Sequence, residues 1–299
     1  MDYKPSPHSL ERSLLQKAVR RGYPDIVEKV FNYLISQKDI IWMRKRLYII
    51  TYEECWPYGN NLIPRESKFK IIEHYKKLAI SEKNKNAAGL AGLANLYTNE
   101  NRIINQLDQM TATAIRTIAN SIKNTDEYWD WIKHQSNYRK HKFMIEKVRE
   151  ASIKASFSEE EAMFYSSAYF CIKDQVPVVS ELPAKQDEFP YWVAIDKHTT
   201  EGKDILAEIA EKYKILPYHL YQIAFFMEGS VCNKVINSPY WELFSEIELR
   251  RRGYRIKEAQ DIWDQVKQDV IDLSAKHVDE MLNRINNVEE EDTDQINMF

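Results

Sequence analysis

Apolar positions recur at the three-to-four-residue spacing of an amphipathic helix along most of the chain. A first helix carries Leu10, Leu14, Leu15, Ala18 and Val19 on one side, with Ser9 as its expected cap and Gly22 at its end. Pro24 suits the first turn of a second helix, marked by Ile26, Val27, Val30, Phe31, Leu34 and Ile35. Asp39 is the expected cap of a third, with Ile40, Met43, Leu47 and Ile50 in phase. Pro57 and Gly59 break the pattern. Further helices are predicted over Glu66–Glu82, around Ala87–Leu96, from Ile103 to Ile122 and over Asp126–Ser156, the last with a break at Ser136-Asn137. Gly89 and Gly92 in the small-residue segment predict close packing against a neighbour. Ser158 and Glu161 have capping-box spacing and open a helix through Phe170. After a proline-bearing stretch, Val176–Pro190, come helices around Asp204–Lys214, Tyr218–Met227, Pro239–Arg252 and Lys257–Ile285. No internal repeat is visible.

Composition agrees with an all-α fold. The 299 residues include only 7 Gly, and long stretches lack Pro, which disfavours a turn-rich β architecture. With 44% hydrophobic and 29% charged residues, the chain is an ordinary globular protein. The organisation predicted is an N-terminal helical region over 1–175 and a C-terminal helical region over 191–286, within one domain or two. A disordered acidic tail over 287–299 follows. No apolar run is long enough to span a membrane, and Met1-Asp2-Tyr3-Lys4-Pro5 lacks the apolar core of a signal peptide. Cys55, Cys171 and Cys232 show neither metal spacing nor a disulfide framework, so reduced thiols and a cytoplasmic location are expected.

The tail changes the picture. Glu289, Glu290, Glu291, Asp292 and Asp294 precede Gln295-Ile296-Asn297-Met298-Phe299. Without those acids the net charge of -3 becomes slightly positive for the body. The last five residues resemble the Gln-Leu-Ser/Asp-Leu-Phe pentapeptide by which bacterial proteins dock on the DNA sliding clamp. Met298 and Phe299 would fill an apolar pocket, and the Gln295 amide would hydrogen-bond at a second subsite. A short segment that orders on binding gives the modest affinity of an exchangeable tether. The competing reading is a chance match in an apolar terminus. A tail like that of bacterial single-stranded-DNA-binding proteins fits less well, since Met298 stands where Pro is usual.

Residues 9–60 carry a second resemblance. Leu14-Leu15-Gln16-Lys17-Ala18-Val19-Arg20-Arg21-Gly22-Tyr23-Pro24-Asp25 is followed by Val30-Phe31-Asn32-Tyr33-Leu34. The run Arg44-Lys45-Arg46-Leu47-Tyr48-Ile49-Ile50-Thr51-Tyr52-Glu53-Glu54-Cys55-Trp56 completes it. In this order they resemble the C-terminal region of the RarA/MgsA family of AAA+ ATPases, which includes the Werner-helicase-interacting protein. The pattern departs at Glu54-Cys55-Trp56, where the family has Asp-Ile-Gly. The resemblance implies a clamp-loader-like helical collar that supports oligomerisation, with a second copy or a RarA-type ATPase as partner. The ATPase module is not matched. The only Gly-Lys, Gly202-Lys203, is followed by Asp204 and preceded by Lys197 where a phosphate loop needs its first Gly. No cofactor and no metal are expected.

Two other constellations stand out. Asp196, His198, Thr199 and Lys203 form a compact polar cluster that reads either as a catalytic or phosphate-contacting site or as a loop capping the helix expected near Asp204. Arg139, Lys140 and Lys142, and Arg250, Arg251 and Arg252, are basic runs near Tyr138, Phe143 and Tyr254. They suit phosphate contacts and base stacking, or solvated helix faces. Arg20 and Arg44–Arg46 are also candidate intrachain partners of Glu53 and Glu54. The sequence reading is therefore a non-enzymatic accessory protein of DNA replication or repair, tethered to the sliding clamp. The alternatives are a DNA-binding module and an enzyme, such as a nuclease, centred on Asp196 and His198.

Overall fold

The computed structural model describes residues 8–56, 58, 68–100, 104–105, 107–122, 124–135, 138–155, 158–174, 188–233 and 238–288. These fold into thirteen α-helices with no strand. The acidic run and Gln295–Phe299 lie outside the described residues, as do 175–187 of the proline-bearing stretch.

The first four helices are α1 (Ser9–Arg21), α2 (Pro24–Ser36), α3 (Ile40–Glu54) and α4 (Lys68–Ile80). Gly22 ends α1 in the left-handed region at φ 82, where an L side chain would be strained. Pro24 then opens α2 at its first turn. The two expected caps at this end differ. His8 occupies the N-cap position of α1, so Ser9 is already helical. Asp39 holds the N-cap position of α3 but makes no cap hydrogen bond, because its carboxylate accepts from Arg12 Nε at 2.6 Å instead. A charge-assisted pair outcompetes a neutral N–H donor.

The middle of the chain forms α5 (Asn86–Asn99), α6 (Gln109–Ser121), α7 (Thr125–Lys133), α8 (Tyr138–Ala155) and α9 (Glu159–Asp174). Local caps set their starts: Asp108 accepts from Thr111 N at 2.9 Å and Asn124 from Glu127 N at 3.2 Å. Ser158 and Glu161 make the expected reciprocal pair. The Asp126–Ser156 segment divides into α7 and α8, and α6 begins later than Ile103 because Asp108 caps it.

After a 3₁₀ turn, Tyr191–Ala194, come α10 (Thr200–Lys212), α11 (Pro217–Ala224), a π-turn over Phe225–Gly229, α12 (Pro239–Arg250) and α13 (Ile256–Asn286). The helix expected near Asp204 starts at Thr200, because Thr199 Oγ1 accepts from Gly202 N at 3.1 Å.

The buried side chains sort into two main cores. One takes Leu14, Leu34, Met43 and Leu78 from α1–α4 together with Ile209, Leu220, Trp263 and Met281 from α10–α13. Residues before α5 and after the proline-bearing stretch thus share a single core. The other joins Tyr52 and Trp56 at the end of α3 to Leu90, Ile118, Trp129, Val148 and Tyr169 of α5–α9. Trp129 is buried there, while Trp131 is half-buried against it. Helix α12 crosses α5 at its glycines. A Cβ on Gly89 would stand 2.3 Å from the Trp241 backbone nitrogen, and one on Gly92 would meet the Phe244 ring. Only glycine permits that approach.

Among the described residues no helix is long and apolar enough to cross a membrane.

Candidate functional site

Between the two cores lies a buried network of charged side chains. On α1, Arg12, Gln16, Lys17 and Arg20 recur at helical spacing on the side that meets α3 and the 196–198 loop. On α3, Trp42, Arg46 and Glu53 repeat that phase. His198 and Phe225, the first residue of the π-turn, close the far wall of a cavity of about 320 Å³. Ser9 and Ser13 complete the lining.

Three of its four cations have acidic partners. Arg12 takes both oxygens of Asp39 and lies with its guanidinium 4.9 Å over the Trp42 ring. The Lys17 ammonium pairs with Asp196 and hydrogen-bonds Ser13 Oγ at 3.2 Å. Arg20 pairs with Glu54, reaches Glu53 at 3.6 Å, and donates to the Gly229 carbonyl at 3.0 Å. Arg46 differs: its Nη2 donates to the neutral Gln16 Oε1 at 3.1 Å, and its buried Nε has no hydrogen-bond partner.

The cations hold the two buried acids in charged form, while burial lowers the Lys17 pKa. Burial alone would raise the Asp196 pKa, but the Lys17 ammonium and the His198 hydrogen bond keep it well below the usual carboxylate range. Burial opposes the charge on Glu54 too, and Arg20, Lys85 and the Cys232 thiol, which donates at 2.8 Å, outweigh it. Burial and then the Glu54 carboxylate push the Cys232 thiol far up. Beside the cavity, Glu228 of the π-turn accepts from Arg21 at 2.6 Å, Trp263 Nε1 at 3.1 Å and Lys267 at 2.9 Å, tying α1 to α13.

A second cavity, about 690 Å³, adjoins the first and shares Glu53 and Phe225 with it. Small residues of α5, Ala88, Ala91 and Gly92, form its floor, with Met163 and Phe164 of α9 along one side. Phe225, Trp241 and Phe244 form its aromatic wall. The Trp241 and Phe244 centroids are 5.6 Å apart. Lys85 Nζ sits 3.5 Å from the Trp241 centroid and Lys197 Nζ 3.8 Å from that of Phe225. Burial lowers the Lys197 pKa to about 8.

The sequence-derived candidates distribute unevenly over this frame. Asp196, His198 and Thr199 do converge: Asp196 accepts from the His198 backbone N–H at 2.8 Å and faces its Nδ1 at 3.1 Å. Thr199 caps α10, and Lys203 is exposed outside the cavity. Of the residues carrying the RarA-like pattern, Lys17, Arg20, Glu53 and Glu54 enter the network, while Arg44 and Lys45 are exposed. The anticipated pairing of Arg20 with Glu53 and Glu54 is present.

Arg139, Lys140 and Lys142 are exposed on α8, with Lys142 3.6 Å from Glu146. Arg250 is bridged to Glu246, and Arg251 and Arg252 both to Glu248. Gln295–Phe299 lie outside the described residues. Sequence reasoning missed Arg12, Gln16, Trp42, Lys197, Phe225 and Trp241. The one available signal was the row of polar residues, Ser13, Lys17 and Arg20, on the otherwise apolar side of α1. Among the described residues no group of His, Cys, Asp and Glu is arranged to hold a metal.

Compared with protein families, characterised proteins and solved structures, the chain finds no match in any of the three.

Proposed function

We propose that the protein is a non-enzymatic accessory factor of DNA replication and repair, held at the sliding clamp by Gln295–Phe299. The observation that carries the reading is the pentapeptide itself. An amide, two aliphatic positions around a small polar residue, and a final aromatic follow an acidic run. In this reading the helical body is a relative of the RarA oligomerisation region, with a second copy or a RarA-type ATPase as its further partner. The convergence of Lys17, Arg20, Glu53 and Glu54 on one network supports treating the spaced RarA-like residues as a unit.

Changing both Met298 and Phe299 to Ala tests it. Binding to a purified bacterial clamp should weaken by about 100-fold or more, since two apolar side chains contribute ~1.5–3 kcal/mol each when buried. Far-ultraviolet circular dichroism should not change. Undiminished clamp affinity in that variant would rule the docking out.

A second reading, direct DNA binding, is favoured by one surface alone. On α8, Arg139 and Lys140 carry no bridging acid among the described residues, and Phe143 is 61% exposed beside them. Arg250, Arg251 and Arg252 are already matched by Glu246 and Glu248. DNA affinity resting on α8 should fall with salt at a slope of roughly -2 for two phosphate contacts. It should drop in the Arg139→Ala/Lys140→Ala double variant, and affinity that ignores both salt and that variant would dismiss this surface.

A further inference from the structure

We infer that the basic cavity and the aromatic cavity are one cleft that binds a nucleoside monophosphate, either free or as the 5′-phosphorylated end of a single strand. The proposal does not depend on the clamp-binding tail.

Glu53 and Phe225 line both cavities, so the two lie side by side. Their volumes of about 320 and 690 Å³ fall within the ~300–1,000 Å³ span of small-molecule sites. The ends differ in chemistry. The smaller is lined by Arg12, Lys17, Arg20 and Arg46, and the larger by Phe225, Trp241 and Phe244.

Within the basic end Arg46 singles out the anion. Arg12, Lys17 and Arg20 are matched by Asp39, Asp196 and Glu54. Arg46 lines the same cavity with one donor spent on a neutral amide and no acidic partner among the described residues. A guanidinium fork with free donors matches two phosphate oxygens in geometry and charge. At the other end, three half-buried aromatic rings, two of them with a lysine ammonium against one face, form the wall against which a flat base would pack whatever its identity.

The junction narrows the ligand further. Glu53 stands where a ribose hydroxyl or an exocyclic amine can donate to it, and its charge disfavours a chain of phosphates. A monophosphate therefore fits better than a triphosphate, consistent with the lack of a phosphate loop. The π-turn supplies Phe225 to both cavities and the Gly229 carbonyl to Arg20. Such turns occur often at functional sites, because they reset the phase of a helix at a cost that packing must offset.

The test is titration of the full chain with AMP, dTMP, inorganic phosphate and a 5′-phosphorylated oligothymidylate, followed by calorimetry and by quenching of tryptophan emission. Trp42 and Trp241 line the cleft and report occupancy. The proposal expects saturable binding of a mononucleotide or of the phosphorylated strand end. Arg46→Met should weaken it by about tenfold or more, equivalent to about 1.4 kcal/mol.

Binding of AMP and dTMP without the oligonucleotide assigns the cleft to free nucleotides, and the reverse assigns it to a strand end. Inorganic phosphate binding as tightly as AMP and dTMP removes the aromatic half and overturns the proposal. So does the absence of nucleotide and oligonucleotide binding up to millimolar concentration, or an Arg46→Met variant that binds like the original. Should Arg46→Met not fold, Arg46→Lys keeps the charge and loses the fork. Several-fold weakening is then expected, and unchanged affinity overturns the proposal equally.

Discussion

Replacing Arg20 by Met should expose how strongly the two cores depend on their shared charge network. Arg20 is 5% exposed and its partner Glu54 is 0% exposed. Removal of the guanidinium strands the Glu54 carboxylate away from water and frees the Gly229 carbonyl that Arg20 Nη1 satisfies. Breaking one side of a buried pair costs about 3–5 kcal/mol, mostly from the uncompensated partner. For a chain of this size the loss corresponds to a denaturation temperature lower by on the order of 10 °C.

Burial alone would raise the Glu54 pKa, yet Arg20 and Lys85 depress it. Its stabilising contribution is therefore present at neutral pH and lost only as acid carries the pH below the ordinary carboxylate range. Without Arg20, protonation relieves the stranded Glu54 charge, so the stability loss in Arg20→Met should be largest at neutral pH and shrink as the pH falls. Glu54→Gln in the same chain removes the stranded charge, so the double variant should be more stable than the sum of the single losses by about 2 kcal/mol. Urea denaturation followed by circular dichroism measures all three. A single-variant loss below ~1 kcal/mol, or strict additivity, would refute the claim that this pair is a buried, interdependent unit.

Other consequences can be read from single positions. Gly89→Ala would raise helix propensity by about 1 kcal/mol in isolation, but its Cβ would meet the Trp241 backbone at 2.3 Å, so thermal stability should fall by several degrees. A neutral or stabilised variant would contradict the close crossing of α5 and α12. Burial and the Glu54 carboxylate raise the Cys232 thiol pKa, so alkylation at pH 8 should be far slower than for a free cysteine and should accelerate in Glu54→Gln. Ordinary reactivity would mean that the Cys232–Glu54 hydrogen bond is not made in solution. Lys197, with its pKa lowered to about 8, is charged below that pH and neutral above it. Nucleotide affinity should accordingly decline as pH rises through about 8, and the decline should vanish in Lys197→Met.

What the sequence disclosed depended on how far apart the interacting residues lie. Helical phase is a local property, and it located the elements from α1 to α13, including the division of α7 from α8. Caps were readable when the side chain had no better partner, as at Ser158, and misread when it did: Asp39 is taken by Arg12, 27 residues away. The glycines of α5 signalled a close neighbour without saying that α12 is that neighbour. At the candidate site, Arg20 and Glu54 were legible because both fall within one spaced pattern. The Lys17–Asp196 pair spans 179 residues and brings together two motifs that read as unrelated. Phe225 and Trp241 carry no mark in the sequence, since an aromatic residue at helical spacing looks the same whether it fills a core or walls a cleft.

The measurement that bears most directly on the clamp-tether account is calorimetric titration of a purified bacterial sliding clamp with the full chain and with a form ending at Asp294. The account predicts roughly micromolar binding by the full chain, about -8 kcal/mol, and none by the shortened form. Equal binding by both forms, or no binding by either, would contradict it.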